Sequence, residues 1–298
     1  MAAVSTGQQA PNLREPAGWR RTKNSIMTTL MWVAFVVVLV PLGFVIFTVI
    51  GKGAAAISWQ FLTSSTIPPN ILPLGFGGMG PAVIGTLEIT GFAALIAVPL
   101  GILGAIYIAE YGGRGFLGKL IAFMSDVMTG VPSIVMGLFI FTVWTITFGF
   151  SGVAGSFALA CLMLPIVIRS SYEMLRLVPD TLRQGSYALG ATKSRVTLTV
   201  VLPAAIGGIV SGALLAIARA AGETAPLLFT ILTVTQTNTN LFSGPNTALA
   251  TQIFVNAESP YTGAEQRAWG AALTLIAIAF ILMIVARVFT ARFTRYSR

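Results

Sequence analysis

The sequence predicts an all-α membrane protein that crosses the bilayer several times, and three observations carry that prediction. The chain of 298 residues is 55% hydrophobic and only 9% charged, where a soluble domain has roughly a quarter of its residues charged. Its mean hydropathy is +0.86. Apolar runs recur along it, each near the roughly 20 residues that span about 30 Å of hydrocarbon, and the basic residues gather between alternate runs.

Composition removes several classes of function. There is one cysteine, Cys161, inside an apolar run, so no intramolecular disulfide framework or cysteine metal site is expected. Histidine, the commonest metal ligand and proton shuttle, does not occur. The net charge of +9 suggests nucleic acid only until its distribution is read, since no basic face carries interleaved aromatics.

In chain order, residues 1–25 are polar and rich in Pro and Gly, and are expected to form a disordered cytoplasmic tail. The first apolar run is too long for a signal-peptide core and is expected to stay as a span. Six spans are predicted, at 26–50, 81–109, 120–148, 153–169, 204–232 and 268–288, within a membrane domain of residues 26–290 that ends in a short cytoplasmic tail, 291–298. Between the first two, 57–62 reads as a short surface helix with Trp59 and Phe61 at the interface. With the N-terminus inside, fifteen of the 18 Lys and Arg fall on inner segments. Only Lys52 and Arg267 fall on outer loops and Arg219 lies within a span, so both termini are expected in the cytoplasm.

The segment 170–203 is the one large inner loop, and it is organised. Asp180 reads as the N-cap of a helix over 181–189, with Leu182, Ser186 and Leu189 on one face and Gly190 as its C′ residue. A second helical stretch, 192–201, is expected to end before Pro203. No G-x-x-x-x-G-K-[ST] loop occurs, so this chain is expected to bind no nucleotide.

Here the chain resembles the inner-membrane permeases of bacterial ABC importers. Their cytoplasmic signature is Glu-Ala-Ala, three residues, Gly, nine residues, Ile, one residue, Leu-Pro. This chain has Gln184-Gly185-Ser186, three residues, Gly190, nine residues, Val200, one residue, Leu202-Pro203. The spacing is kept and the opening triplet departs, with Gln184 lacking the charge of the family's Glu. The resemblance implies the type I importer permease fold, and a coupling loop made of Asp180, Gln184, Gly185, Ser186, Gly190, Leu202 and Pro203 that docks on a separate ATPase subunit. ATP and magnesium would then sit on that partner, and this chain would be a transport subunit rather than an enzyme.

Charges at membrane depth cost at least about 2.5–3.5 kcal/mol each on insertion scales, so each is a functional candidate. Four stand well inside predicted spans, away from their ends: Glu88, Asp126, Arg219 and Glu223. Asp126 lies nearer the cytoplasmic end, where solvation or capping would also account for it. Arg219 and Glu223 stand four apart on one helix face. Either they only neutralise each other, or they mark a substrate pathway beside a helix break at Gly222 and Pro226, since Pro226 has no N–H to donate. An arginine fork grips two oxygens of an oxyanion at once and stays charged. Glu88 is expected to orient the pathway or to pair with a second subunit. Gly208 and Gly212 form a small-xxx-small pair for a close crossing, within the chain or with a partner.

The stretch 216–228, A-I-A-R-A-A-G-E-T-A-P-L-L, closely resembles the motif of phosphate-specific permeases. Residues 78–90, and 126–137 with Gly130-Val131-Pro132-Ser133, resemble two further motifs of that family, the A-type of its two permeases. The resemblance implies a multi-pass subunit of the bacterial cell membrane that imports inorganic phosphate. Its partners would be a homologous second permease, two ATP-binding cassette subunits and an extracytoplasmic phosphate-binding protein, with no nucleic acid. The alternatives are an ABC permease for another oxyanion such as molybdate or sulfate, and a secondary anion transporter.

Overall fold

The computed structural model describes residues 18–66, 77–112 and 115–294. The predicted tail up to residue 17, the centre of the 51–80 connection, and Arg14, Arg114, Arg295 and Arg298 lie outside these. The chain divides into two compact units, one ending at Thr48 and one starting at Val49.

The first unit is most of one helix, α1 (Trp19–Gly53), which begins well ahead of the predicted span. It is apolar all round, and Leu30, Val36, Phe44 and Phe47 are exposed on different faces. A helix without a polar face suits lipid rather than water.

The second unit holds the remaining helices: α2 (Trp59–Thr63), α3 (Gly80–Ile106), α4 (Phe116–Gly130), α5 (Ser133–Ile140), α6 (Ile146–Phe148), α7 (Gly152–Arg176), α8 (Asp180–Ala188), α9 (Lys193–Val196), α10 (Leu202–Ala221), α11 (Ala225–Thr230), α12 (Leu249–Ala257) and α13 (Thr262–Thr294). Among the described residues five helices are long and apolar enough to cross a membrane, and the bent pair α4 with α5–α6 is a sixth candidate.

The central helix is α7. Its most apolar window is 67% buried, and α3, α4, α5, α10 and α11 all pack on it. Small residues permit this. Gly101 on α3 faces Val167, and a Cβ there would fall 2.7 Å from the valine side chain. Gly208 and Gly212 on α10 lie directly against Met174 and Ser170 of α7, so the small-xxx-small pair serves a crossing within the chain. Without a hydrophobic drive between helices in lipid, such close backbone approach supplies the dispersion energy that holds a bundle together. Ser156 Oγ donates to Ile89 O at 3.0 Å and adds a buried α7–α3 bond.

Four expectations are corrected. The third span is not one straight helix: α4 and α5–α6 meet at 106° around Val131 and Pro132, because the residue before a proline is pushed out of the helical region. Val131 has φ −74° and ψ 129°. The fifth span starts earlier and stops sooner than 204–232. A π turn at Thr197–Val201 carries the helix through Pro203, whose nitrogen has no proton to donate, and the helix ends at Ala221. In the short helix α2, Ser58 caps the start by accepting from Phe61 N at 3.0 Å, but Phe61 turns inward against Met79 while Trp59 is exposed. The segment read as a plain loop over 233–267 contains α12, whose Thr251, Gln252 and Asn256 are buried. Its backbone start is held by Leu249 N donating to Thr86 Oγ1 at 2.8 Å.

Candidate functional site

Both interruptions open on one cavity of about 240 Å³, room for about eight waters or one hydrated oxyanion. Its walls are Met128 and Thr129 at the end of α4, Val131 to Ser133 at the kink, Leu162, Met163, Pro165 and Ile166 of α7, and Arg219 with Glu223 at the α10 break. The kink is held onto the break by α5 packing on α11, where a Cβ on Gly137 would fall 2.5 Å from Pro226 Cα. Ser133, the first residue of α5, lies at this wall.

The break itself follows from the sequence. Gly222 N donates to Arg219 O at 3.1 Å and Glu223 N to Ala220 O at 3.1 Å, tightening the last turn of α10. Helix resumes only after Thr224, where Pro226 occupies the first turn and needs no N–H partner. Irregular backbone at such depth is stable only where it is buried in protein or lines a polar cavity.

Arg219 and Glu223 do pair, but loosely: Nε and Oε1 are 3.8 Å apart, with the arginine side chain 70% exposed. A pair so open is worth about 0–1 kcal/mol. The guanidinium therefore faces the cavity with donors to spare. Thr129 and Ser133 add hydroxyls to an otherwise mostly apolar lining.

The other predicted residues fall elsewhere. Glu88 on α3 does not line this cavity; its Oε2 is buried with no hydrogen-bond partner among the described residues. Asp126 is bonded to Arg169, 2.8 Å away across α4 and α7, with Glu173 on the other side of the arginine at 3.8 Å. That contact makes Asp126 one end of an ion-pair chain rather than a helix cap.

The loop 170–203 forms the short helix α8 as expected, and Gly190 ends it with φ +79°, the left-handed C′ geometry that favours glycine. Asp180 is not the N-cap. Pro179 occupies that position without a side-chain bond, and Asp180 accepts from Arg183 at 3.1 Å. Leu182, Tyr187 and Leu189 are exposed, Leu189 by 90%. Gln184 is exposed as well, and a Cβ on Gly185 would meet nothing within 4 Å. Leu202 and Pro203 begin α10, with the Leu202 side chain against the cluster of Leu175, Val178 and Val196. Like the Asp126–Arg169 pair, a second long-range pair is not foreshadowed by the sequence. Arg183 on the inner side of α8 bonds Glu110, 73 residues earlier, at 3.0 Å, with side-chain exposures of 15% and 5%.

A bundle of apolar helices around a charged cavity, built where two helices break, has the construction of a membrane permease. Residues 97–295 match the family described as the binding-protein-dependent transport system inner membrane component. The chain is 43% identical to the phosphate transport system permease protein PstA 1 of Mycobacterium tuberculosis, over 87% of this chain and 86% of that protein. It is 41% identical to the PstA protein of Yersinia pestis over 94% of each. Among solved structures, an inward-facing form of the MetNI methionine ABC transporter superposes on 76% of this chain and 99% of its own, with a TM-score of 0.58 at 16% identity, which speaks for the fold. The chain belongs to the binding-protein-dependent transport system inner membrane component family, among its PstA-type phosphate permeases. It is a multi-pass transport subunit of the bacterial inner membrane.

Proposed function

We infer that the chain is the membrane-spanning subunit of an ATP-driven importer that carries inorganic phosphate into the cytoplasm. The observation that carries the reading is Arg219, a permanently charged fork facing a cavity at two helix breaks and held only at 3.8 Å by its carboxylate neighbour. The likeness to phosphate permeases supplies the anion.

The physical sequence of events follows from that arrangement. With no anion present, Glu223 neutralises Arg219 and lowers the cost of a charge at membrane depth. An entering phosphate offers two oxygens to the guanidinium, a charge-assisted bidentate pair stronger than the loose contact it displaces. The Ser133 hydroxyl adds a hydrogen bond, whereas the Thr129 hydroxyl already donates to Asp126 O at 2.6 Å. Closure of the cavity against water would strengthen every one of these, and release requires that it open to the cytoplasm. Glu88 is assigned to the boundary with the second permease, on the α3 face that also presents exposed Ile84 and Leu95.

Opening is assigned to partner ATPase subunits, which hold ATP and magnesium and dock on α8. The exposed apolar residues Leu182, Tyr187 and Leu189 and the bare backbone at Gly185 support this. Both termini and the loop 170–203 lie in the cytoplasm, as the fifteen-to-two basic asymmetry supports. The remaining partners are a homologous permease subunit and an extracytoplasmic phosphate-binding protein. The docking face is tested by Gly185→Trp, at a position where an added Cβ meets nothing within 4 Å. Purified in mild detergent, the wild-type chain retains an ATP-binding subunit, whereas the variant inserts normally, loses that subunit and stops taking up phosphate. A variant that keeps both contradicts docking at α8.

A further inference from the structure

A coupling helix transmits a stroke only if it is stiffly joined to the helices it must move. The joints of α8 do not look stiff. It is tied to α7 by Leu177, Val178 and Pro179, and to α9 by a turn through Gly190 at φ +79°. Neither connection has the hydrogen-bond ladder of a continuous helix, so a push on α8 would be spent in rotating it.

One side chain closes that gap. Arg183 uses all five of its N–H donors. Nε and Nη2 go to Glu110 Oε1 at 3.2 and 3.0 Å. Nη2 also donates to Leu175 O at 2.9 Å. Nη1 donates to Val178 O and to Asp180 Oδ1. A single planar group therefore ties the start of α8 to the last turn of α7 and to the end of α3. Glu110 sits in a π turn, Tyr107–Tyr111, that continues α3 and packs against both α4 and α7. The pair is largely buried, with side-chain exposures of 15% and 5%, so solvent screens it far less than a surface pair. The ends it grips lead to the cavity: α7 lines it with Leu162, Met163, Pro165 and Ile166, and α3 packs along α7.

We propose that the Arg183–Glu110 pair is the mechanical joint of this subunit, through which movement of the coupling helix reaches α3 and α7 and thereby the Arg219 cavity. Arg183 is a positioning residue: it faces away from the docking surface of α8 and does not line the cavity. The proposal rests on the importer reading given above.

The test is a ratio. Complexes of this chain with its second permease, ATPase and binding-protein partners are reconstituted in vesicles, and inorganic phosphate moved per ATP hydrolysed is measured for wild type, Arg183→Ala, Arg183→Lys and Glu110→Gln. A merely structural role lowers the amount of folded complex and leaves the ratio of the survivors unchanged. The joint predicts that the ATPase stays bound and ATP is still hydrolysed, while phosphate moved per ATP falls about tenfold in Arg183→Ala and Glu110→Gln. Arg183→Lys, which keeps a charge toward Glu110 but loses the fork, recovers part of it. If Arg183→Ala does not insert, Glu110→Gln, which removes only a charge, decides the matter. A wild-type ratio in Glu110→Gln, or in an inserted Arg183→Ala, overturns the joint while leaving the importer reading intact. No ATP-dependent phosphate movement by the wild-type complex overturns the importer reading, and the joint with it.

Discussion

Replacing Arg219 by alanine is expected to reduce phosphate uptake roughly 30- to 150-fold, the consequence of losing charge-assisted hydrogen bonds worth about 2–3 kcal/mol. The chain should still insert, because the deleted group is 70% exposed and its one ion pair is loose. Removing it also leaves Glu223 at the cavity wall without its cation, which repels an entering anion and adds to the loss. Arg219→Lys separates charge from shape. It keeps the positive charge but offers a point donor in place of a planar fork, so it should restore part of the uptake and not all of it. Initial rates of labelled phosphate uptake in cells with matched membrane levels of each variant provide the measurement. Undiminished uptake in Arg219→Ala removes Arg219 from the pathway.

Gly137→Leu should be nearly as damaging for a different reason. A Cβ there falls 2.5 Å from Pro226 Cα and 2.9 Å from Pro226 O, backbone atoms with no side-chain freedom to yield. The added side chain must wedge α5 from α11, and those two helices hold the kink at Pro132 and the break at Gly222 against the same cavity. Overpacking of this kind costs about 1–3 kcal/mol, and here the strain falls on the positions that frame Arg219. Uptake should fall at least about tenfold, with a lower thermal midpoint in detergent. Gly43→Leu, on the exposed α1 with nothing within 4 Å, serves as the control and should change neither. Equal behaviour of the two variants would show that the α5–α11 contact does not shape the site.

These residues differ in how readily the sequence exposes them. Hydrophobicity located the membrane-crossing helices, but it stopped the fourth span at 169 while α7 runs on to Arg176, because the last two turns, Ser170 to Arg176, are mostly polar. It missed the kink at Val131 because averaging over some twenty residues merges two apolar helices across a break only two residues wide. Pro132 carried the local signal. The break after Ala221 was legible in Gly222 and Pro226, but hydrophobicity alone ran the span on to 232, because Leu227 to Leu232 continue the apolar run. Gly190 could be placed from sequence because its job is local, a left-handed turn after a short helix.

Pairings across the bundle were another matter. Arg219 and Glu223 are one helical turn apart, and periodicity alone brings them together. Asp126 and Arg169, or Glu110 and Arg183, are 43 and 73 residues apart, joined only through the packing of α4 and α3 on α7. Nothing in the spacing of either pair points to its partner. Phe61 shows the limit for a short helix: five residues have too little periodicity to say which aromatic faces inward, and the cluster with Met79 and Ala271 decides it.

The central claim is that this subunit passes phosphate at the expense of ATP, and reconstitution tests it most directly. Vesicles holding the chain with its second permease and ATPase, supplied with a phosphate-loaded binding protein, are assayed for labelled phosphate accumulation with and without ATP, and with excess molybdate or sulfate. The account predicts accumulation that requires ATP and is undiminished by either competing oxyanion. Accumulation driven by an ion gradient in the absence of ATP, or displacement of phosphate by molybdate or sulfate, would contradict it.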